Sequence, residues 1–585
     1  MKYAAVDFES YYDAQVTLSL LGVWHYLRHE KCEIYMVSVF TEEGSFVGHP
    51  SEFDFESIRD CEWVSHNASF DIEVYKRLQE LGQAPSWHPE KWHCSANMAA
   101  YFGASDRNLA DAVLVHLRLD ISKDVRKKMK GKTYESMVET GFIEEVKEYA
   151  LRDAEACYKL WMAKKEQWPQ FEQDLSALTM LQVQRGIPCD AEYLEEGIKK
   201  LSQACFTAVH RLPWAEGNEE HALSTILFAA ECRKVGIDPP KSKAKNSSDA
   251  AEWEEENPGI SWIEDRRVYL RANLLRTKLQ TMKSRIRDDG RIHFGIKYFG
   301  AHTGRWSGDN KLNVQGLTKE VLHGFSQRRV LHVTDPNKKF IIFDLSQIEP
   351  RCSAWVVGDW DFLSLCQTQS VYEAHARQTM GWTGGNLKLE NPKLYAAAKV
   401  RILGGDYGQS AVSYQQFAKS YGVIMTLDAA KRDVADYRAK EWRKVQKWNE
   451  FDAKLKEAAQ NQEPYEIVLP SGRTLTYRNA RFALTASGKT NVKCQVGGGR
   501  WTFTWGSKIY ENVIQSIARD VFCESLLRLE KAGWESIFTV HDEGILEVPK
   551  SVTVEEVQEL IKINPPWMPD VPLDSEAVES DFYLK

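Results

Sequence analysis

Several short stretches carry acids where acids are costly. In KKFIIFDLSQIEPRCSAW, Asp344 directly follows the apolar run FIIF, and in FTVHDEGILEV, His541, Asp542 and Glu543 interrupt a β-rich segment. A carboxylate at the end of a buried strand is unfavourable unless a counter-charge or a metal ion offsets it. Local chemistry alone offers plainer readings, a helix N-cap for the first stretch and a charged hairpin turn for the second. Near the N-terminus, VDFES sets Asp7 and Glu9 two apart on a strand pattern, so both carboxylates share one face and form a metal-ligand pair. YALRD sets Tyr149 and Asp153 four apart on a helical pattern, again on one face. Asp71, in HNASFDIEVYKRL, stands near the start of another helix. In LYAAAKVRILGGDYGQS, Tyr395, Lys399, Leu403 and Tyr407 recur every four residues, which predicts one helical stripe. A lysine on such a stripe can hold a triphosphate as a point charge.

The elements that must position these residues change along the chain. Residues 1 to about 165 open on strand patterns (KYAAVDF, EIYMVSVF) and close on the helical FIEEVKEYALRDAEACYKLWMAKKE, which predicts an α/β domain. Helical, charged sequence runs to about 300, broken by PPKSKAKNSSDAAEWEEENPG (239–259), which reads as an exposed loop. Beyond it, strands (FIIFDLS, PYEIVLPSGRTLTYR, FTVHDEGILEV) mix with helices such as KIYENVIQSIARDVFCESLLRLEKA.

At 585 residues the chain is too long for one core, and about 150 residues per domain suggests three to four domains. Its 27% charged and 43% hydrophobic content is that of a globular protein, with no apolar run long enough to cross a bilayer and no signal-peptide core. It reads as intracellular, with no membrane association. Eleven cysteines form no CxxC pair, which argues against zinc or a disulfide framework. The net charge of −8 gives no overall basic footprint, although KDVRKKMKGK (123–132), a solvated basic loop, is a local stretch able to meet phosphates.

In order and spacing, DxE, Asn-x3-Asp and Tyr-x3-Asp resemble the DEDDy group of 3′-to-5′ exonucleases, the proofreading fold attached to many DNA polymerases. That resemblance implies Asp7, Glu9, Asp71 and Asp153 as metal ligands and Tyr149 as the residue orienting the attacking water. FDLSQIEPR and VHDE resemble two palm motifs of family A DNA polymerases, those related to bacterial DNA polymerase I, and the Lys399-to-Tyr407 stretch resembles their fingers motif. The implied fold is an α/β multidomain chain, an RNase H-like exonuclease followed by a right-hand polymerase. Its expected division is exonuclease 1–165, thumb 166–300 with RGIPCD (185–190) resembling its start, palm 301–365 and 485–585, and fingers 366–484.

The same resemblance implies template-directed nucleotide addition and proofreading for DNA replication, with two Mg²⁺ per site and Mn²⁺ as a substitute. Asp344 and Asp542 would bind both ions with the Leu345 carbonyl, and Lys399 would neutralise the triphosphate and protonate the leaving pyrophosphate. Glu349 matches the residue that crowds the sugar 2′ position. Leu403, Tyr407 and His375 complete the implied nucleotide contacts. HTGRWSGDNKLNVQG resembles a stretch lying along the duplex, which implies Arg305, Asn313 and Gln315 as DNA contacts, with Gln515 near the minor groove. His541 would touch the primer terminus and Glu543 would support the ligands. Implied partners are primer–template DNA and deoxynucleotides, with helicase, primase and single-strand binding protein as accessory candidates to a monomer.

The match departs from the family at several places. Tyr395 replaces an arginine, leaving Lys393 or Arg401 to meet the triphosphate, and Leu403 replaces an aromatic ring, which predicts altered dideoxynucleotide discrimination. Ser507 and Glu511 replace an arginine and an asparagine, with Lys508 as a substitute. The chain starts on the proofreading pattern, without the family's 5′ nuclease, which points to a bacteriophage replicative type. These departures also motivate a rival expectation, a DNA-binding 3′-to-5′ exonuclease whose polymerase half has lost synthesis.

Overall fold

The computed structural model describes residues 2–103, 107–121, 124–240, 248–309 and 312–584. The apolar run Ala4–Val6 is fully buried, as expected of a strand covered on both faces, and strand Lys2–Ser10 is the centre of a five-stranded sheet. It pairs antiparallel with Ile34–Phe40, which continues to Ser45–Gly48, and parallel with Cys61–Ser65, which continues to Trp92–Cys94. Helix Ile143–Lys164 packs across this sheet and buries Val146, Ala150, Ala154, Cys157 and Trp161 along one side. Helix Ala68–Glu80 closes the end of the sheet near Asp7.

Helix Gln170–Arg185 leads into the long pair Ala191–Val209 and Ser261–Lys283. The loop expected at 239–259 is in part a helix, Ser248–Glu256, while residues 241–247 lie outside the described residues. One side chain explains the difference: Trp253 docks against Phe228 and Trp262, giving a polar stretch a single apolar anchor. Similarly, the basic loop expected at 123–132 contains helix Asp124–Met129, with Lys123 outside the described residues.

A second sheet, wholly antiparallel, runs in the order Glu535–Val540, Glu543–Pro549, Lys338–Leu345, Ser575–Ser580. Its centre is FIIF, every residue of which is buried. Helix Gly506–Lys531 lies against it, with Phe522 meeting Phe343. Helices Val371–Thr379, Pro392–Val400 and Trp442–Asn461 form the mainly helical insertion between these strands. A third sheet, Tyr465–Val468, Thr474–Leu484, Thr490–Val496 and Arg500–Thr504, comes after it in the chain. The break expected at 484/485 falls inside this sheet, in the turn joining its second and third strands, because ladder pairing carries straight across it.

A buried ion network joins the body to the helix after the N-terminal domain. Arg519 reaches Glu172 at 2.6 Å, Arg473 reaches Asp520 at 3.1 Å, and the Tyr298 hydroxyl donates to Glu172 at 2.5 Å. All cysteines are free and, apart from Cys32 and Cys61, buried. Among the described residues no helix is long and apolar enough to cross a membrane.

Candidate active sites

The N-terminal site is built from three elements. Strand alternation brings Asp7 and Glu9 to one face, helix Ala68–Glu80 supplies Asp71 from its first turn, and helix Ile143–Lys164 supplies Tyr149 and Asp153 one turn apart. Burial pushes the Asp7 carboxyl well above the ordinary range, and Glu9, Asp71 and Asp153 add to that push. Glu9 rises to about 7 through burial and Asp153, against the opposing Arg126 guanidinium. Asp71 also rises through burial, although backbone amides of Phe8 and Asp71 itself stabilise its charge, and its Oδ1 has no hydrogen-bond partner. Tyr149 is raised by burial and by Glu9, Asp153 and Asp7. The five predicted side chains therefore meet in one place.

The second site sits at the end of the sheet centred on Lys338–Leu345 and Glu543–Pro549. Asp344 lies opposite Glu543 on one neighbouring strand and opposite Glu576 on the other, so three carboxylates form a row across three strands. Like charges set directly opposite are destabilising by themselves. Asp542 occupies the two-residue turn between Glu535–Val540 and Glu543–Pro549, behind His541 at φ 58°. The hairpin reading was right, and the N-cap reading of Asp344 was not: Asp344 is within its strand, and helix Ile348–Val357 starts at Gln347 without a side-chain cap. Burial raises the Asp542 pKa, Glu349 and Asp344 raise it further, and Arg305 opposes them. Glu349 is held by the Arg305 guanidinium and accepts a hydrogen bond from the Tyr407 hydroxyl. Glu543 accepts from the Tyr583 hydroxyl. Gln315 donates to the Thr539 carbonyl at 3.1 Å and so braces the hairpin, while Asn313 caps the short turn Val314–Gly316 that carries Gln315, accepting from its backbone amide. Leu345, the residue after Asp344, is buried opposite Ser575.

Three expectations are corrected by the packing. Tyr395, Lys399, Leu403 and Tyr407 do not lie on one straight stripe: the α-helix ends at Val400, Arg401–Gly405 form a π turn, and Tyr407 lies beyond it. Each extra residue in a helix rotates the residues after it by about 100°. His375, implied as a nucleotide contact, is buried at 1% exposure, with Nδ1 3.1 Å from Glu441 and Nε2 3.1 Å from the Thr379 hydroxyl. Tyr372, on the same helix, is the residue beside Lys399, its ring 5.8 Å from Lys399 Nζ and edge-on to Tyr395. Arg401 cannot replace the missing arginine, because it is buried and paired with Asp433 and Asp436, whereas Lys393 is exposed.

The replaced residues on helix Gly506–Lys531 also find local causes. Ser507 packs against Gly408, where a Cβ would stand 2.5 Å from the Ser507 Oγ, so position 408 has room for glycine alone beside this serine. Glu511 accepts from Lys508 at 2.8 Å and from the Gln515 amide at 3.2 Å, so one carboxylate holds both side chains expected to contact DNA. Among the described residues no three Asp, Glu, His or Cys side chains form a finished metal cage. The acids fit divalent cations in another sense: hard oxygen donors are crowded together, raised in pKa or set directly opposite one another, which a cation would offset.

The chain is 25% identical to the DNA polymerase of Bacillus phage SP02 over 680 aligned positions that span all of both chains. It is 29% identical over 244 residues to DNA polymerase I of Chloroflexus aurantiacus, covering 40% of this chain and 25% of that one. With the thermostable DNA polymerase I of Thermus caldophilus the identity is 24% over 444 residues, 73% of this chain and 48% of that one. The fold matches the POL domain of Pol1 from M. smegmatis, solved in complex with DNA primer-template and dNTP, with TM-score 0.69, 17% identity and coverage of 99% and 95%. A model of DNA polymerase family A matches residues 191–578, two thirds of the chain, and on that match the chain belongs to DNA polymerase family A.

Proposed function

We propose that this family A polymerase extends a primer at Asp344 and Asp542 and trims it at a separate 3′-to-5′ exonuclease site made by Asp7, Glu9, Asp71, Tyr149 and Asp153. The observation that carries this reading is the presence of two acid clusters on different sheets, one raised in pKa by burial and by the neighbouring carboxylates, the other setting Asp344 directly opposite Glu543 and Glu576 with Asp542 raised by burial beside it. The strand order of the N-terminal sheet, with a central strand antiparallel on one side and parallel on the other, supports an RNase H-like domain over residues 1–165. Residues 166–300 then serve as thumb, the Asp344 sheet as palm and the helices between its strands as fingers.

Divalent ions such as Mg²⁺, when bound at the carboxylates, would supply charge to the phosphoryl oxygens and acidify the attacking hydroxyl or water. The chain's own residues do the rest. Lys399 sets a positive charge against the triphosphate, with Tyr372 beside it. The primer 3′ oxygen bonds to the α-phosphorus as the bond to the bridging oxygen breaks and pyrophosphate leaves. Glu349, fixed between Arg305 and Tyr407, fills the space a ribose 2′-hydroxyl needs. At the nuclease site Tyr149 holds the attacking water in line. DNA held by its backbone makes binding salt-sensitive.

Primer extension tests both halves. Wild type should lengthen a primer with nucleotides and shorten it without them. Asp542→Ala should abolish lengthening alone, and Asp7→Ala should abolish shortening alone. Loss of both activities in either variant, from folded protein, would refute two independent sites.

A further inference from the structure

The third sheet has a face that neither site uses. Between Ile467 and Trp505 there is no Asp or Glu, whereas Arg478, Arg481, Lys489, Lys493 and Arg500 are present, in a chain of net charge −8. Register sorts these residues. Val492, Cys494 and Val496 point inward and are buried, so Lys493 and Gln495 point outward, with Arg481 and Phe503 flanking Lys493 and Trp501 opposite Gln495. Arg481 lies 4.3 Å over the Trp501 ring and Lys493 is 5.7 Å from the Phe503 ring. Arg478 ties the sheet to the N-terminal domain through the carbonyls of Phe102 and Gly103, at 2.9 and 2.7 Å. His302 ties it to the loop bearing Arg305, accepting from the Gly497 amide at 3.1 Å.

We infer that this face is a platform for the unpaired template strand, a role that rests on template-directed synthesis. The one acid among the sheet's strands, Glu466, stands opposite Thr476 in the first strand, two strands away from Lys493. Phosphates suit the basic surface around Lys493, and bases stack on aromatic rings and guanidinium planes with little regard to sequence. The other single strand, a frayed primer end, is less well served. The sheet meets the nuclease domain beside Phe102, which Lys164 overlies, about 16 Å further along the same helix than Asp153. A primer end bound for Asp7 has no need to cross it.

The test is fluorescence anisotropy with the full chain on labelled primer–templates whose 5′ template overhang is short or long. Wild type should bind the long overhang more tightly. Lys493→Ala and Trp501→Ala should each reduce that gain, the tryptophan change by about tenfold, or about 1.4 kcal/mol. Lys493→Ala should also lower the salt slope on the long overhang by about 0.7, and Lys493→Arg should restore it. Single-nucleotide insertion on the short overhang should stay at the wild-type rate in every variant. If wild type inserts nucleotides but gains nothing from overhang length, or if both alanine variants keep the full gain, the platform is overturned while polymerase function stands. A wild type that inserts no nucleotide at all would instead overturn the proposed synthesis.

Discussion

Glu349 is gripped from two sides, by the Arg305 guanidinium and the Tyr407 hydroxyl, which fixes its carboxylate where the proposed function needs it against the sugar. Replacing it with alanine should raise ribonucleotide incorporation relative to deoxynucleotide by about tenfold or more, the worth of one contact of about 1.4 kcal/mol. Single-turnover incorporation of matched ribo- and deoxynucleotides measures this directly. Tyr372, against Lys399, supports a different outcome: Tyr372→Ala should weaken nucleotide binding, seen as a higher KM with kcat changed less. The Asp7–Glu9 and Tyr149–Asp153 pairs were readable because a strand period of two and a helix period near four fix which side chains share a face, whereas Asp344 and Asp542 were joined only through their resemblance to family motifs. Tyr372 was not readable. Which side chain of Val371–Thr379 meets Lys399 depends on how that helix packs against Pro392–Val400, and its own sequence, with His375 the more reactive residue, points the wrong way.

At the scale of elements, the helical insertion between the strands of the Asp344 sheet is anchored by charges buried inside it. Lys444 bridges Asp406 at 2.8 Å and Glu441 at 3.2 Å, and Glu441 in turn meets His375. Burial pushes the Glu441 carboxyl up, but Lys444 and His375 outweigh it and hold its pKa at about 2, below its ordinary 4.5. A depressed folded-state pKa adds stability above the unfolded value and loses it as pH falls through the folded one. Unfolding free energy should therefore drop between about pH 4.5 and pH 2 by an amount on the order of 3 kcal/mol from this group, and Glu441→Gln should flatten that limb in urea titrations. The helices themselves were legible from their periodicity. The π turn was not, since it arises where Gly404 and Gly405 let Phe417 and Tyr437 press against the backbone, a contact between distant segments. The third sheet was seen only in part, because its β-rich strands were readable but their pairing across residue 484 was not.

For the whole molecule, the decisive joint is the ion network of Glu172, Arg519, Arg473 and Asp520. Removing one member leaves buried charge uncompensated, so Glu172→Ala should cost about 3–5 kcal/mol, measured by chemical denaturation. Family and overall order were legible from ordered motifs. This joint was not, since Glu172 and Arg519 are far apart in sequence and each looks like an ordinary helix charge. Its consequence concerns time. On the proposed two-site reading, buried ion pairs that hold the helix after the N-terminal domain against the body leave the journey between the Asp542 and Asp7 sites to the DNA. The balance between copying and correcting would then be a race: a paired terminus is extended before it melts, and a mismatched one melts before it is extended.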